Sequence, residues 1–191
     1  MEMVRGGGTD TADGSRFGGW FDRYKDRRNV GGEIRKKIIS WDIAPPEEYF
    51  TELFRVSQHA IIWGGNYFNL PGARNFLVWD KKMPEDFSMA MAEYAWTNIP
   101  GNAKIFRKVP QDPTGCRFHP TQKPVELYAW IFSQYAKPGY KILDTHLGSG
   151  SSRIAAWDAG LDFVGSEIDP DYFAKMDARF QEHSAQLNLF L

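Results

Sequence analysis

The sequence predicts an α/β fold, a mostly parallel sheet flanked by helices, and three observations carry that expectation. Helix and strand patterns alternate through the last third of the chain, with connections tight enough to imply parallel pairing across crossover helices. Two short apolar runs in the middle third, His59-Ala60-Ile61-Ile62-Trp63 and Asn75-Phe76-Leu77-Val78-Trp79, are each closed by Gly or polar residues and read as buried strands covered on both faces. With 191 residues, 42% of them hydrophobic and 25% charged, the chain suits one compact globular domain rather than a disordered or fibrous protein.

Taken in order, residues 1–19 are rich in Gly, Thr and Asp without apolar periodicity, and read as a loop or tail. Residues 45–57 predict an amphipathic helix: Tyr49, Phe50, Leu53 and Phe54 fall at helical spacing behind Pro45-Pro46-Glu47-Glu48, a rigid and acidic first turn. After the two apolar runs, residues 90–97 and 104–109 read as further strands, with Pro100-Gly101-Asn102 as the turn signal between them and a loop over 110–118. Residues 122–136 place Leu127, Trp130, Ile131 and Tyr135 on one helical face, and Lys137-Pro138-Gly139 ends that helix. A strand at 140–143, a helix at 151–159 and a strand at 163–165 follow. Asp169-Pro170 then opens a final helix with Phe173, Met176 and Phe180 facing inward.

Composition narrows the function classes. A single cysteine, Cys116, excludes an intrachain disulfide and any multi-cysteine zinc cluster, and no metal site is expected. No apolar stretch approaches the roughly 18 residues of a membrane span, and no signal-peptide core opens the sequence, so the expected location is the cytoplasm, away from membranes. Net charge is −1, yet residues 22–37 hold seven basic against three acidic side chains and carry +4. Arg27, Arg28, Lys36 and Lys37 in that stretch could hold a phosphate backbone; on charge alone, a solvated surface loop serves equally well.

The most informative stretch is Leu143-Asp144-Thr145-His146-Leu147-Gly148-Ser149-Gly150-Ser151, a strand that breaks into a glycine-bearing turn and then a helix. Reversal straight after a strand needs backbone freedom, and absent Cβ atoms at Gly148 and Gly150 would let a ligand lie against the main chain, although a plain strand-to-helix turn can look alike. A second strand ends in Glu167 about 20 residues past the first glycine, the spacing at which a carboxylate meets ribose hydroxyls. Asp169 suits the other role open to an acid there, that of a helix entry. The turn lacks the three glycines of a dinucleotide site and the Gly-Lys-Ser/Thr of a triphosphate site, so an adenosine with a short tail fits better.

These residues, with His119-Pro120-Thr121-Gln122-Lys123-Pro124 before them and Asp169-Pro170-Asp171-Tyr172-Phe173 after, resemble the DNA N4-cytosine and N6-adenine methyltransferases. The likeness is to phage-type and restriction-modification members of the permuted group, whose cofactor motifs lie C-terminally. Ile61-Ile62-Trp63-Gly64-Gly65-Asn66-Tyr67-Phe68 and Val78-Trp79-Asp80-Lys81 resemble the strand endings that flank the family's cleft. The resemblance implies a Rossmann-like S-adenosylmethionine-dependent methyltransferase fold over residues 41–191, behind a polar and basic region at 1–40, with a target-recognition insert near 82–117. It implies S-adenosylmethionine as cofactor, held by Asp144, Thr145, Gly148, Gly150, Ser151, Glu167, Thr121 and Lys123, with Lys123 answering the cofactor's carboxylate. It implies double-stranded DNA as substrate. On residues alone, His119 is an ordinary loop histidine and Lys123 a solvated first-turn lysine.

The family's catalytic string, Asp, Asn or Ser before Pro-Pro and an aromatic, does not stand in the sequence; Ala44-Pro45-Pro46-Glu47 has the prolines alone and opens a helix. In the family this string ends a central strand beside that of Leu143-Asp144, so its loss is expected to leave two unpaired strand edges or force a new pairing. The expectation is an N-terminally truncated chain, completed by a second copy or by an N-terminal polypeptide, that binds the cofactor weakly and transfers no methyl group. Asn66 and Tyr67 are the first suspects for holding the base should it prove active. A non-catalytic binding module, or an enzyme acting on RNA or protein, is the rival reading.

Overall fold

The computed structural model describes residues 44–84, 90–110 and 117–187. The polar opening, the basic stretch with Arg27, Arg28, Lys36 and Lys37, Cys116 and parts of the 82–117 insert lie outside the described residues. The chain divides into two compact units, Met1–Gln58 and His59–Leu191.

In the first unit, helix α1 (Glu47–Val56) begins behind Pro46, which sits at φ −68 with an extended ψ. Pro45-Pro46 thus opens a helix as its sequence predicts, with Glu47 and Glu48 in the first turn and Arg55 in the last, where the helix dipole favours each sign. Ser57 closes it, both its N–H and its hydroxyl donating to the Leu53 carbonyl, at 3.1 and 2.6 Å.

In the second unit, β1 (Ile61–Trp63), β2 (Phe76–Asp80), β3 (Ala92–Thr97) and β4 (Lys104–Arg107) form one sheet in the order β1-β3-β2-β4. Helix α2 (Val125–Tyr135), β5 (Lys141–Asp144), α3 (Ser151–Asp158), β6 (Asp162–Gly165) and α4 (Pro170–Leu187) follow, with β5 and β6 paired in a second sheet. The α/β class stands, and β5-α3-β6 is the parallel crossover unit expected. Pairing is split evenly, however: β2–β4 and β5–β6 are parallel, β1–β3 and β2–β3 antiparallel. The Asp144 strand, expected to be central, pairs only with β6 among the described residues, and β1 only with β3.

The core lies between the four-stranded sheet and α2. Leu77, Trp79 and Ala95 meet Leu127 and Ile131, with Trp63, Phe106, Tyr128, Trp130 and Tyr135 packed around them. The face of residues 122–136 read from helical spacing is therefore the face that packs. Buried indoles find acceptors, Trp79 donating to the Lys108 carbonyl at 2.8 Å and Trp96 to that of Pro71 at 2.7 Å. Burial on both strand faces was expected for the two apolar runs and is not seen. In β2 only Leu77 and Trp79 are buried, and β1 is half-buried throughout because its free edge admits water. In α4, Met176 is 1% exposed but Phe173 is 45% exposed, contrary to expectation. The inward stripe runs through Tyr172, Met176 and Arg179, since Tyr172 rather than its neighbour rests against His119. Among the described residues no helix is long and apolar enough to cross a membrane.

Candidate cofactor site

Parallel pairing of Leu143 with Val164 and Asp144 with Gly165 brings the carboxyl ends of β5 and β6 to one rim, where ligands of α/β sheets bind. Beyond Asp144 the chain folds back on the second strand: Ser166 N–H donates to the Asp144 carbonyl at 2.9 Å, and Leu147 N–H to the Ser166 carbonyl at 3.0 Å. Gly148 and Gly150 then turn the chain into α3 through left-handed conformations, φ +53 and +72. The need for glycine differs in kind from the one expected. A Cβ on Gly150 would lie 2.3 Å from Met176 Cγ, and one on Gly148 3.2 Å from the His119 ring, so the missing side chains admit the protein's own α4 and His119 rather than a ligand.

Polar side chains fix this turn. Asp144 accepts from the His146 N–H at 3.0 Å with one carboxylate oxygen and from the Ser152 hydroxyl at 2.5 Å with the other. Glu167 points into the same rim, its Oε2 accepting from Gly148 N–H at 2.8 Å and its Oε1 from Asp169 N–H at 2.9 Å. Each oxygen keeps a further lone pair for another donor, so the carboxylate is oriented but not exhausted. Asp169 caps α4 instead, accepting from the Asp171 and Tyr172 N–H groups at 2.9 and 3.2 Å, which separates the two acids as the sequence suggested.

The segment before α2 closes one side. His119 is 7% exposed, accepts from the Thr121 N–H at 3.3 Å through Nδ1, and meets the Tyr172 ring edge-on at 4.5 Å. Burial, assisted by Lys123 and Arg117 and opposed by Glu167 and Asp169, pushes its pKa down to about 4, so the imidazole is neutral at pH 7. His119 is a wall of the turn, not an ordinary loop histidine. Thr121 is exposed beside it. Thr145 is half-buried, and its carbonyl accepts from the Ser166 hydroxyl at 3.2 Å. The Ser151 hydroxyl is spent internally, donating to the Lys123 carbonyl at 2.7 Å, so its part in the site is to shape the turn.

Lys123 is neither solvated nor lacking a counter-charge. Its ammonium lies 3.1 Å from Glu93 of β3 and 5.5 Å over the Trp63 ring, and Lys81 meets the same carboxylate at 2.9 Å. Burial would raise the Glu93 pKa, but the two ammonium groups outweigh it and hold the carboxyl below its ordinary value. Tyr128 of α2 feels Asp144 and Glu93 alike; burial first, then these two negative charges, drives its phenol pKa up. Glu93 escaped the sequence reading, as did its pairing with Lys81, although a lone acid inside the apolar strand Ala92–Thr97 was the available signal. Asn66 and Tyr67 lie on another element, the 3-10 turn Gly65–Tyr67 after β1, with Tyr67 49% exposed. Among the described residues no group of three or more His, Cys, Asp or Glu side chains could hold a metal ion.

The chain is similar to several known proteins. Type II methyltransferase M2.MboI of Moraxella bovis is 25% identical over 150 residues, 76% of this chain and 49% of that protein, so the chain spans about half the length of this relative. The putative methylase YubD of Escherichia coli (strain K12) is 36% identical over 59 residues, covering 31% of this chain and 26% of its own. Among solved structures, the M1.HpyAVI–SAM complex is similar at 24% identity and TM-score 0.46, over 69% of this chain and 68% of that one. The PvuII DNA methyltransferase, cytosine-N4-specific, is similar at 13% identity and TM-score 0.44, over 60% and 56%. A family model described as DNA methylase matches residues 32–177, from the basic stretch through the glycine turn into α4, and the chain belongs to that family.

Proposed function

We propose that this chain carries the cofactor half of a DNA methyltransferase that methylates the exocyclic amine of adenine (N6) or cytosine (N4). The single observation behind this reading is Glu167, a carboxylate oriented by the Gly148 and Asp169 N–H groups at the rim of two parallel strands, with lone pairs left for ribose hydroxyls. S-adenosylmethionine supplies an electrophilic methyl on a sulfonium. The residues present suit it: Glu167 for the ribose, and Asp144, Thr145, Gly148, Gly150 and Ser151 for the shape of the turn. Thr121 and Lys123 serve the methionine end, the ammonium exchanging Glu93 for the cofactor's carboxylate. The enzyme works in the cytoplasm on double-stranded DNA, with Arg27, Arg28, Lys36 and Lys37 on the phosphate backbone and residues 82–117 reading base edges.

No polar-Pro-Pro-aromatic string that would hold the target amine stands in these 191 residues, and we assign that role to no residue among them. We favour an added strand, from the same protein or from a complementing polypeptide, over a second copy. Among the described residues β1 and β5 each pair on one side only, and the His59 and Tyr140 rings, just before these strands, lie 6.4 Å apart. The rival reading, a module that binds cofactor or DNA without catalysis, draws on the same missing string. A paired experiment separates them: calorimetric titration with S-adenosylmethionine, and tritiated-methyl transfer to mixed-sequence duplex DNA, on this chain alone and with an added Asp-Pro-Pro-Tyr strand segment. Weak binding without transfer, and transfer once the strand is present, is the expected result. Robust transfer by the chain alone overturns the split and directs attention to Asn66 and Tyr67; no transfer with the strand supports the module. Charge reversal at Arg27, Arg28, Lys36 and Lys37 should lower duplex affinity and flatten its salt slope.

A further inference from the structure

Helix α4 runs to Leu187, whereas the family match ends at residue 177, and one side chain beyond that match reaches back to the glycine turn. Tyr172, Met176 and Arg179 recur at the spacing of one helical face. Tyr172 rests on His119, and Met176 fills the space a Cβ on Gly150 would need. Arg179 donates from Nη1 to the Ser149 carbonyl at 2.9 Å and to the Ser151 hydroxyl at 3.0 Å. That hydroxyl donates onward to the Lys123 carbonyl at 2.7 Å and lies 3.1 Å from the Ser149 hydroxyl, with both serines at most 5% exposed. One guanidinium thereby ties together α4, the turn, and the segment that bears Thr121 and Lys123.

Helix electrostatics alone would not choose a cation here. Ser151 is the first residue of α3, and positive charge beside a helix N-terminus is unfavourable where an acid would be stabilising. We propose that Arg179 is a positioning residue for the cofactor site: through Ser149 and Ser151 it holds the 148–151 turn in the shape that receives the methionine end of the cofactor. This rests on the cofactor reading above.

The full chain as wild type, Arg179→Met and Arg179→Lys should be titrated with S-adenosylhomocysteine and with 5′-methylthioadenosine, the nucleoside thioether that lacks the amino-acid end, and melted in parallel. Arg179→Met should bind S-adenosylhomocysteine about tenfold more weakly, the loss expected for one charge-assisted hydrogen bond. Its affinity for methylthioadenosine should stay within about twofold, and Arg179→Lys should recover most of the loss. Should Arg179→Met fail to fold, Ser151→Ala, which removes the shared hydroxyl, should show the same selective loss. Wild-type affinity in Arg179→Met, or an equal loss of both ligands that lysine does not mend, overturns the proposal. Failure of the wild type to bind either ligand overturns the cofactor reading and this inference with it.

Discussion

The four-stranded sheet and the β5-α3-β6-α4 unit are held by different forces. In the sheet, stability resides in apolar contact: Leu77, Trp79 and Ala95 against Leu127 and Ile131, with a partly buried ion cluster of Lys81, Glu93 and Lys123 at its rim. In the β5-α3-β6-α4 segment, carboxylates, a hydroxyl and a guanidinium bond to the main chain: Asp144 to His146, Glu167 to Gly148 and Asp169, Ser151 to Lys123, and Arg179 to Ser149. Apolar packing is tolerant of shape and says little about ligands, whereas side chains aimed at backbone N–H groups fix a turn to within tenths of an ångström. The β5-α3-β6-α4 segment is where chemistry can be placed, and its price is intolerance to small changes.

The largest expected effect follows from that intolerance. Gly150→Ala combines a left-handed φ of +72 with a Cβ 2.3 Å from Met176 Cγ, and should destabilise by about 2–5 kcal/mol. Gly160→Ala, at φ +64 with nothing within 4 Å, should cost about 1 kcal/mol. Urea unfolding of both variants tests this, and equal losses would show that packing of α4 on the turn contributes nothing.

A second effect depends on pH. The folded pKa of His119 lies at about 4 against an ordinary 6.5, so the unfolded chain binds the extra proton between those values. Stability from the buried neutral ring is complete above pH 6.5 and is lost as pH falls to about 4, by about 3 kcal/mol. Glu93, with its pKa held below its ordinary value, contributes in the same sense only at more acid pH. His119→Asn should therefore flatten the stability profile between pH 6.5 and 4.5; parallel profiles for the two proteins would show that the ring titrates as if exposed.

Legibility in the sequence divided along the same line. The glycine turn, Glu167 at its spacing, Asp169 as a cap and the face of α2 were all readable, because each is set by residues close together in the chain. What could not be read was set by distant partners. The antiparallel placing of β3 between β1 and β2, the pairing of Lys123 with Glu93 across 30 positions of sequence, and the reach of Arg179 to Ser149 leave no local pattern. Phe173 was misplaced for a related reason: helical periodicity allows two adjacent stripes, and only the position of His119 chooses Tyr172. The glycines were found for one reason and proved necessary for another, since a sequence shows a missing Cβ without showing what occupies its space.

The proposed ligand site lies at the rim of β5 and β6. An amide-resolved titration of the labelled chain with S-adenosylhomocysteine, followed by two-dimensional nitrogen–proton spectra, tests it most directly. The account predicts that the N–H signals of Gly148 and Asp169, both bonded to Glu167, move together with those of Ser149 and Gly150, while those of Phe76–Asp80 and Lys104–Arg107 stay in place. Shifts centred on the four-stranded sheet with the glycine turn unmoved would contradict it.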